Sequence, residues 1–418
     1  MIGSELPKGW KLTKLGNILC RMTNGLNIEQ TDVCSIDSFP ISRIETIANE
    51  KIDFSRVKYC TPSIDQKQKY LLEDGDILFS HINSDKHLGK TAIYKDIEPL
   101  IHGVNLLLLR CNSELYNSGM LNYLLRYYRY TGVFMGIAQR AVNQSSINQK
   151  KLSNLDIPLP PLTEQKQIAE KLDKLFDQIE TIKEASNKIP ELLKNFRQQV
   201  LTYAVTGKLT NSDYESWELK TLDEIAIPKA GYAFKATDFI DNGIQVIRMG
   251  NLYDNKLSLD RNPVFVPKNY DTDIIERSRV KRNDILLTLT GTKYKRDYGY
   301  AIKIDTDEVL LLNQRILSLT PLIDPDYLLL VLRSDEFRNQ FFEFETGGVN
   351  QGNVGVKNVM TIKLHIPSPR IQEEIVRRTK ILFNILDNVE RRYNILCEKL
   401  DKLPQALLGK AFNGELIL

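Results

Sequence analysis

The chain has 418 residues, of which 42% are hydrophobic, 26% charged and 8% aromatic. This is the composition of an ordinary globular protein, and the length predicts two or three domains. The 56 Lys and Arg residues nearly balance the 53 Asp and Glu residues, so the net charge is only +3. This charge excludes a broadly polybasic protein but not a local basic patch for nucleic acid.

The sequence carries no sign of export or of a membrane segment. No apolar run reaches the roughly 18 residues of a membrane span. Residues 1–5 lack the basic and then apolar order of a secretory signal. The five cysteines are odd in number and form no CxxC pair, which disfavours a disulfide framework or a zinc ribbon. We therefore expect a cytoplasmic protein with reduced cysteines and no membrane partner.

The two halves of the chain repeat each other. The two tryptophans, Trp10 and Trp217, open the two halves and set a shift near 207 residues. Further matches keep the same order and nearly the same spacing: Asp76-Ile77-Leu78 with Asp284-Ile285-Leu286, Ala92-Ile93 with Ala301-Ile302, Val142-Asn143-Gln144 with Val349-Asn350-Gln351, and Ala204–Leu209 with Ala411–Leu416. Chance matches would not keep this order, so the chain is a duplication.

Each half begins with a region of short apolar runs and turns rich in Gly and Asn. Strands of four to six residues are expected at Ile77–Phe79, Leu106–Leu109, Ile285–Leu287 and Ile316–Leu317. Helices are expected at Leu121–Tyr130 and Tyr327–Phe342. The predicted fold class is therefore α+β, with one mixed globule at residues 1–162 and a second at residues 211–369.

A long amphipathic helix follows each globule, at residues 163–210 and 370–418, with Thr163 as the expected N-cap of the first. The apolar residues of both helices alternate at steps of four and three, which is the pattern of a heptad seam, and only Ser186 and Thr379 interrupt it. The seam residues are Ile168, Leu172, Leu175, Ile179, Ile182, Ile189, Leu193, Phe196, Val200 and Tyr203 in the first helix, and Ile375, Leu382, Leu386, Val389, Tyr393, Leu396, Leu400, Leu403 and Leu407 in the second.

The matched seams predict that the two helices pair. If they bury each other, they run antiparallel as a spacer between the globules, with an approximate two-fold axis relating the two halves. The alternative is that each helix folds onto its own globule. Pro190 and Pro404 lie inside the helices, and an interior proline kinks or breaks a helix, so the sequence leaves open whether each is one rod or two stacked pieces.

Cationic and amide side chains recur at three corresponding places in the two globules. The loop after the strand at Ile77 carries Lys86, His87 and Lys90, and the loop after the strand at Ile285 carries Lys293, Tyr294, Lys295 and Arg296. Arg43 corresponds to Arg248, while Arg140, Asn143 and Gln144 correspond to a segment with Asn350, Gln351 and Asn353. Such residues suit phosphate contacts and base readout, since Asn and Gln can read adenine and Arg can read guanine. Each can also be a solvated hairpin or a turn cap.

Motifs for catalysis are incomplete. Gly89-Lys90-Thr91 ends like a P-loop, but Ser84 stands where its first glycine is required. Asp324-Pro325-Asp326-Tyr327 resembles the Asp-Pro-Pro-Tyr motif of amino-methyltransferases with Asp326 replacing the second proline, and a helix-start turn with Tyr327 on the core side is expected instead. The histidines at 81, 87, 102 and 365 form no metal-ligand motif. We therefore expect no catalytic residue, metal or cofactor in this chain.

The tandem order of globule and helix resembles the specificity subunit of type I restriction-modification enzymes. The resemblance covers essentially the whole chain and rests on Gly9–Leu12 with Ser216–Leu219, Gly75–Leu78 with Asn283–Leu286, Ile157–Gln165, and the ending Ala411–Leu416. The second half departs from the Pro-Pro-Leu-x-Glu-Gln pattern, because it reads Pro367-Ser368-Pro369-Arg370-Ile371-Gln372. That departure affects only the local details of how the second helix begins.

The resemblance implies a non-catalytic subunit whose two target recognition domains each read one half of an asymmetric, bipartite site in double-stranded DNA. It also implies helices that set the spacing and dock two modification subunits, which carry S-adenosylmethionine and methylate adenine at N6. Restriction subunits using ATP and Mg would complete a phage-defence complex. A coiled-coil scaffold or interaction protein without DNA reading is the competing interpretation, and the incomplete motifs disfavour a nuclease or methyltransferase.

Overall fold

The computed structural model describes residues 6–95, 98–141, 144–348 and 350–416. Residues 1–5, the repeated Val142 and Val349, and the candidate DNA-binding residue Asn143 lie outside the described residues. The chain divides into two compact units, unit 1 from Met1–Ser186 with Ile395–Leu418 and unit 2 from Asn187–Asn394. Each unit therefore holds one mixed α+β globule together with part of each long helix.

The globule of unit 1 is built on a four-stranded antiparallel sheet in the order β2-β8-β5-β7, with smaller sheets β1-β11, β3-β4 and β6-β10-β9 around it. The strands are β1 (Lys11–Lys14), β2 (Leu19–Asn24), β3 (Phe39–Ile41), β4 (Lys58–Cys60), β5 (Ile77–Phe79), β6 (Ile82–Asn83), β7 (Thr91–Ile93), β8 (Leu107–Cys111), β9 (Gln139–Ala141), β10 (Gln144–Ser146) and β11 (Asp156–Leu159). The helices are α1 (Ile64–Tyr70), α2 (Ser118–Tyr130), α3 (Val133–Ile137), α4 (Gln149–Ser153) and α5 (Leu162–Ser186).

Unit 2 repeats this plan, because its main sheet has the antiparallel order β13-β23-β19-β21 and its first and last strands pair as β12-β25. The strands are β12 (Glu218–Thr221), β13 (Ala226–Ala230), β14 (Ile244–Ile247), β15 (Leu252–Tyr253), β16 (Lys256–Leu257), β17 (Phe265–Val266), β18 (Arg279–Val280), β19 (Ile285–Thr288), β20 (Thr290–Gly291), β21 (Ala301–Lys303), β22 (Leu310–Leu312), β23 (Ile316–Pro321), β24 (Gly352–Asn353) and β25 (Lys363–Ile366). The helices are α6 (Ile189–Val205), α7 (Leu222–Ile225), α8 (Thr272–Ser278), α9 (Pro325–Arg333), α10 (Asp335–Glu343), α11 (Val356–Met360) and α12 (Pro369–Phe412), of which α12 continues into unit 1.

The central strands β5, β8, β19 and β23 are largely buried on both faces, which explains why they read as apolar runs. Alternate residues of a strand point to opposite faces. Ile77 and Phe79 accordingly join one core cluster, whereas Leu78 joins another. In unit 2 Ile285 and Leu286 divide in the same way. The four expected strands are present, although β5 has only three residues because the chain leaves the sheet at Ser80.

One predicted helix is divided. The segment Tyr327–Phe342 forms α9 and α10 rather than one helix, because Ser334 adopts an extended backbone and its hydroxyl accepts a hydrogen bond from the Phe337 amide at 3.3 Å. The expected turn at the start of α9 is confirmed. The Asp324 carboxylate accepts from the Tyr327 amide at 2.8 Å, and Tyr327 is fully buried.

The long helices differ in continuity. The first is two helices, since α5 ends at Ser186 and α6 begins at Ile189 with Pro190 in its first turn, a position that proline tolerates. The second, α12, is one helix of 44 residues that continues through Pro404. The first helix begins at Leu162, one residue before the expected cap Thr163. The long helix of the second half is therefore continuous, whereas that of the first half is divided.

A glutamine fixes the start of each long helix. The Gln165 amide donates to the Pro160 carbonyl at 2.8 Å, and the Gln372 amide donates to the Pro367 carbonyl at 2.8 Å. The side-chain oxygen of Gln165 also accepts a hydrogen bond from the Asn117 amide, just before α2. The side-chain oxygen of Gln372 accepts one from the Asp324 amide, just before α9. The altered sequence around Ser368 therefore leaves this anchor intact.

Within each unit the long helices run antiparallel. In unit 1 the Lys171 ammonium binds the Leu416 carbonyl and Lys183 binds Asp401, so rising numbers on one helix meet falling numbers on the other. In unit 2 Arg197 binds Asp387 at 2.7 Å, and the Arg378 guanidinium donates to the Leu209 carbonyl at 2.8 Å. Antiparallel pairing is thus confirmed inside each unit.

Most of the predicted seam is buried, but part of it is open to solvent. Ile168, Leu172, Ile179, Leu193, Ile375, Leu386 and Leu400 are buried, and Leu175, Ile189, Leu382 and Leu396 are half-buried. The exposed fraction lies between 38% and 46% for Ile182, Phe196, Tyr203, Val389 and Leu403, so their expected burial is wrong. A two-helix pair covers only a narrow stripe on each helix, which leaves flanking residues accessible. The two polar interruptions, Ser186 and Thr379, are buried.

No helix among the described residues combines the length and the apolar character needed to cross a membrane. All five cysteines are free thiols.

Candidate nucleic-acid interface

Two of the three corresponding places come together in unit 1. The loop of residues 81–90 and the hairpin of residues 139–146 join in the sheet β6-β10-β9, where Asn83 pairs with Ser145. The Ile147 amide donates to the His81 carbonyl at 2.9 Å, and the Ser145 hydroxyl donates to the Asp85 carboxylate. We call residues 81–90 and 290–299 the strand-end loops, and residues 139–146 and 346–353 the amide hairpins.

The same two places come together in unit 2. The strand-end loop and the amide hairpin join as β20 and β24, with Thr290 opposite Asn353. The Lys293 ammonium adds a hydrogen bond to the Gly347 carbonyl at 3.1 Å. The two globules therefore build the same loop-and-hairpin surface from different sequences, which is how a scaffold with exchangeable contacts is expected to look.

The strand-end loop of unit 2 holds an unusual backbone. Tyr294 and Arg296 both have left-handed φ angles, 65° and 52°. The Asp297 carboxylate accepts the Thr292 amide at 2.7 Å and so closes the loop. Left-handed conformations at non-glycine residues cost energy and gather at functional sites. Here they leave Tyr294 80% exposed at the tip of the loop.

The cations of this loop differ in their contacts within the described part of the chain. The Arg296 guanidinium donates to the Asn339 side chain at 3.2 Å and lies 5.2 Å from the Phe342 ring. Lys293 is held by the hairpin as described above and lies 5.1 Å from the Tyr294 ring. Lys295 is exposed. Lys295 and Tyr294 are therefore the loop residues that are most available to a ligand.

In unit 1 a cluster of charged side chains contacts the strand-end loop. Glu50 forms ion pairs with Arg126 and Arg129, and Arg129 also donates to the Lys86 carbonyl at 3.2 Å. The Lys90 ammonium donates to the Ala48 carbonyl, so this cation is used inside the fold, while the Lys86 side chain is exposed.

Burial and neighbouring cations shift the pKa values of two side chains of this loop. Burial, followed by the charge of Lys90, lowers the pKa of His87 below its usual range. Burial, followed by the charge of Arg129, likewise lowers the pKa of Lys90. Neighbouring cations therefore add to the effect of burial in both shifts, while the charge of Glu50 opposes the shift of Lys90.

Arg43 and Arg248 hold the same backbone position in the two units. The Arg43 amide donates to the Thr46 side chain and the Arg248 amide to the Asn251 side chain, each at 2.9 Å. Their guanidinium groups differ in contact, because Arg43 lies 3.6 Å from Glu45 while Arg248 donates to the Asn262 carbonyl at 2.8 Å. The correspondence holds, and both side chains are half-buried rather than free.

The amide hairpins present polar side chains to solvent. Arg140 and Gln144 are exposed in unit 1, as are Asn350, Gln351 and Asn353 in unit 2. A shallow pocket of unit 2 is lined by Thr290, Gly347, Gly348, Gln351, Asn353, Leu289, Gln314 and Arg315. Gln314 and Arg315 were missed by the sequence analysis, since two polar residues before a strand carry no distinctive pattern.

The histidines are placed for packing and hydrogen bonding. His81 and His102 are buried, and His365 contacts the Tyr214 hydroxyl at 2.6 Å. Over the described ranges, no group of three His, Cys, Asp or Glu residues is arranged to hold a metal ion.

Comparison with known proteins agrees with this arrangement. The family model of the type I restriction modification DNA specificity domain matches the chain twice, at residues 7–191 and 214–396. The putative type I restriction enzyme MjaX specificity subunit of Methanocaldococcus jannaschii is 31% identical over 438 residues, which cover 99% of this chain and 95% of that protein. The EcoKI specificity subunit of Escherichia coli K12 is 25% identical over 100% of this chain and 91% of its own length.

A solved structure shows the same fold. The HsdS subunit from Thermoanaerobacter tengcongensis matches with a TM-score of 0.66 over 99% of both chains, at 18% sequence identity. With its two matched domains and with a relative 31% identical along nearly its whole length, the chain belongs to the family of type I restriction-modification DNA specificity subunits.

Proposed function

We propose that the two globules, residues 1–162 and 211–369, each read one half of an asymmetric, bipartite site in double-stranded DNA. The observation that carries this proposal is the loop-and-hairpin surface, which is built in the same way in both units but presents different side chains. Readers related by duplication read paired half-sites at a separation fixed by the protein. Because the side chains differ, the two half-sites differ.

The exposed residues of this surface fall into two groups, one suited to phosphates and one suited to base edges. Lys86 and Lys295 are exposed and suit phosphates, whereas Arg140, Gln144, Gln351 and Asn353 suit base edges. A chain of net charge +3 binds DNA weakly by itself. Tight binding therefore needs the added surface of partner subunits.

The long helices are proposed to set the length of the unread spacer and to dock the partners. Ile381, Ile385 and Val389 lie at four-residue intervals on α12, so they share one helix face, and each is at least 41% exposed. A contiguous exposed apolar patch marks an interaction site. Two modification subunits that carry S-adenosylmethionine and methylate adenine N6 are the proposed occupants.

The chemistry of the complex is assigned to those partners. Members of this family are named as specificity subunits rather than as catalytic subunits. The modification subunits would flip the target adenine out of the duplex into their own pocket. Restriction subunits that use ATP and Mg would add translocation and cleavage. A cytoplasmic location follows from this proposal, because the DNA and the partners lie there.

Methylome sequencing tests the proposal. Cells lacking other adenine methyltransferases would express this chain with its modification subunit, and the expected result is one bipartite motif with adenine methylated in both halves. The chain expressed without the modification subunit is the control. A complex that assembles but leaves the genome unmethylated would favour the competing role of a scaffold without DNA reading.

Exchange of one globule tests whether the two globules read their half-sites independently. Replacing residues 1–162 with the first globule of another family member is expected to change one half of the methylated motif and to leave the other. A change in both halves would contradict independent reading by the two globules.

A further inference from the structure

A second duplicated element borders the proposed interface. The β-turns Gly103–Leu106 and Asn313–Ile316 each lie just before a central strand, β8 or β23, and each is closed by a hydrogen bond from its last amide to its first carbonyl. The distances are 3.4 Å in unit 1 and 3.1 Å in unit 2. The sequence repeat does not reveal this pair, because the four residues differ at every position.

Both turns are held by the same frame. The Leu26 amide donates to the His102 carbonyl at 2.8 Å, and the Leu26 carbonyl accepts from the Val104 amide at 3.1 Å. In unit 2 the Tyr232 amide and carbonyl make the equivalent bonds with Leu312 and Gln314, at 2.8 and 3.1 Å. The turn therefore cannot shift without breaking two main-chain hydrogen bonds.

A glycine brings the supporting chain close in each unit. A Cβ at Gly25 would lie 2.2 Å from the Gly103 carbonyl oxygen, and a Cβ at Gly231 would lie 2.2 Å from the Asn313 carbonyl oxygen. Only glycine allows this approach. The frame is thus the same in both units, down to the residue that makes it possible.

The tips of the turns carry different chemistry. The third residue of each turn is exposed, Asn105 in unit 1 and Arg315 in unit 2, and in unit 2 the second residue, Gln314, is exposed as well. Arg315 lines the same pocket as Gln351 and Asn353 of the amide hairpin, and its carbonyl accepts the Leu289 amide at the start of the strand-end loop. In unit 1 the strand that follows the turn pairs Leu107 with Phe79, just before the other strand-end loop.

We propose that Asn105 and Arg315 are specificity-determining residues that contact base edges, one in each half-site. This inference rests on the proposed DNA-reading function. A fixed frame with an exchangeable tip places one side chain at one position in the groove. Arginine pairs bidentately with guanine and asparagine with adenine. The side-chain difference at the turn therefore contributes to the difference between the two half-sites.

The test uses the full chain in complex with its modification subunit and reads the methylated motif by methylome sequencing. Arg315→Asn is expected to relax or change one base position in one half-site, by about 5- to 150-fold in preference, and to leave the other half-site as it was. Asn105→Arg is expected to do the same in the opposite half-site. Arg282→Asn is the control, since Arg282 is an exposed arginine that precedes β19, whereas the strand-end loop follows it.

The outcomes separate this inference from the proposed function. If the unaltered chain directs no methylation, the DNA-reading function itself fails. If it directs a bipartite motif and both turn variants leave that motif unchanged, or weaken methylation equally at all sequences, the assignment of the turns is overturned. Asn105→Arg keeps the question decidable if Arg315→Asn does not fold, because the two substitutions lie in separate units.

Discussion

Arg110 donates two hydrogen bonds to the fully buried carboxylate of Asp76, from Nε at 2.7 Å and from Nη2 at 2.8 Å. The same carboxylate accepts the Glu73 amide at 2.8 Å and so closes the turn that precedes β5. In unit 2 Asp284 accepts the Lys281 amide at 2.9 Å and the Thr320 hydroxyl at 2.7 Å. The repeated Asp-Ile-Leu motif is therefore a structural device that starts the strand leading to each strand-end loop.

Removing Arg110 tests how much this ion pair contributes to the unfolding free energy. Arg110→Ala leaves a buried carboxylate without its cation, and we expect unit 1 to lose about 3 kcal/mol of unfolding free energy. Urea unfolding monitored by calorimetry or circular dichroism measures the loss. Arg56→Ala is the control, because Arg56 pairs with Asp53 at the surface and little change is expected. Equal effects of the two substitutions would contradict the role assigned to Asp76.

The buried His102 predicts a pH dependence of stability. Burial lowers its pKa to about 4, from 6.5 in the unfolded chain, and its Nδ1 has no hydrogen-bond partner within the described part of the chain. Below pH 6.5 the unfolded state therefore binds a proton that the folded state refuses, so stability falls as the pH drops from 6.5 towards 4. The loss reaches about 3 kcal/mol.

Urea midpoints between pH 4 and 7 measure this effect. His102→Gln is expected to flatten the slope, because the glutamine does not titrate. Part of the slope remains, since burial also lowers the pKa of His81. An NMR titration of the His102 ring provides the direct check, and a pKa near 6.5 in the folded protein would refute the prediction.

The open face of α12 predicts where a partner binds. Ile385 is 53% exposed, so Ile385→Asp should leave the unfolding midpoint unchanged while weakening the complex with the modification subunit on the order of 10-fold or more. Asn384→Asp is the matched control, since it adds the same charge at an adjacent exposed position. Size-exclusion chromatography and titration calorimetry measure the binding. Equal affinity of the two variants would remove this face from the proposed docking surface.

Much of the architecture could be predicted from sequence because it depends on local patterns. Apolar runs identified the central strands, and the shift set by Trp10 and Trp217 identified the duplication. The division of the helix at Ser334 was missed, since a serine is compatible with a helix interior and only its capping geometry ends the helix. Some seam residues were wrongly predicted to be buried, because a heptad pattern does not show how many helices pack against the seam.

The candidate surface was predicted less completely, because its contacts join residues far apart in the chain. Nothing local to Lys90 indicates that its ammonium is bound by the Ala48 carbonyl. Nothing local to Arg315 indicates that it lies beside Gln351. Residue type and corresponding position found the loops and hairpins, but the differences in contact among the cations required the tertiary structure.

Lys295 gives a quantitative test of phosphate contact. Because its side chain is exposed and lies on the strand-end loop, Lys295→Ala is expected to weaken binding similarly for all DNA sequences and to lower the slope of log affinity against log salt by about 1. Fluorescence anisotropy at several salt concentrations, with the assembled complex, measures the slope. Lys281→Ala is the control, because Lys281 precedes β19 while the loop follows it. A shifted motif with an unchanged slope would mean that Lys295 reads bases rather than phosphates.

The proposed role of the helices in setting the spacer predicts how the recognised site responds to their length. The boundary at residues 187–188 is the natural place for an insertion, because α5 ends before it and α6 begins after it. Four inserted residues add about 6 Å of helix, and a matching insertion after Asn394 keeps the partner helix α12 in register. The unread spacer should then widen by about one to two base pairs, given 3.4 Å per base pair, while both half-sites keep their sequences. Methylome sequencing reads spacer and half-sites together. A single-sided insertion is the control and should destabilise the helix pair instead. An unaltered spacer in the doubly extended protein would show that something other than helix length sets the separation.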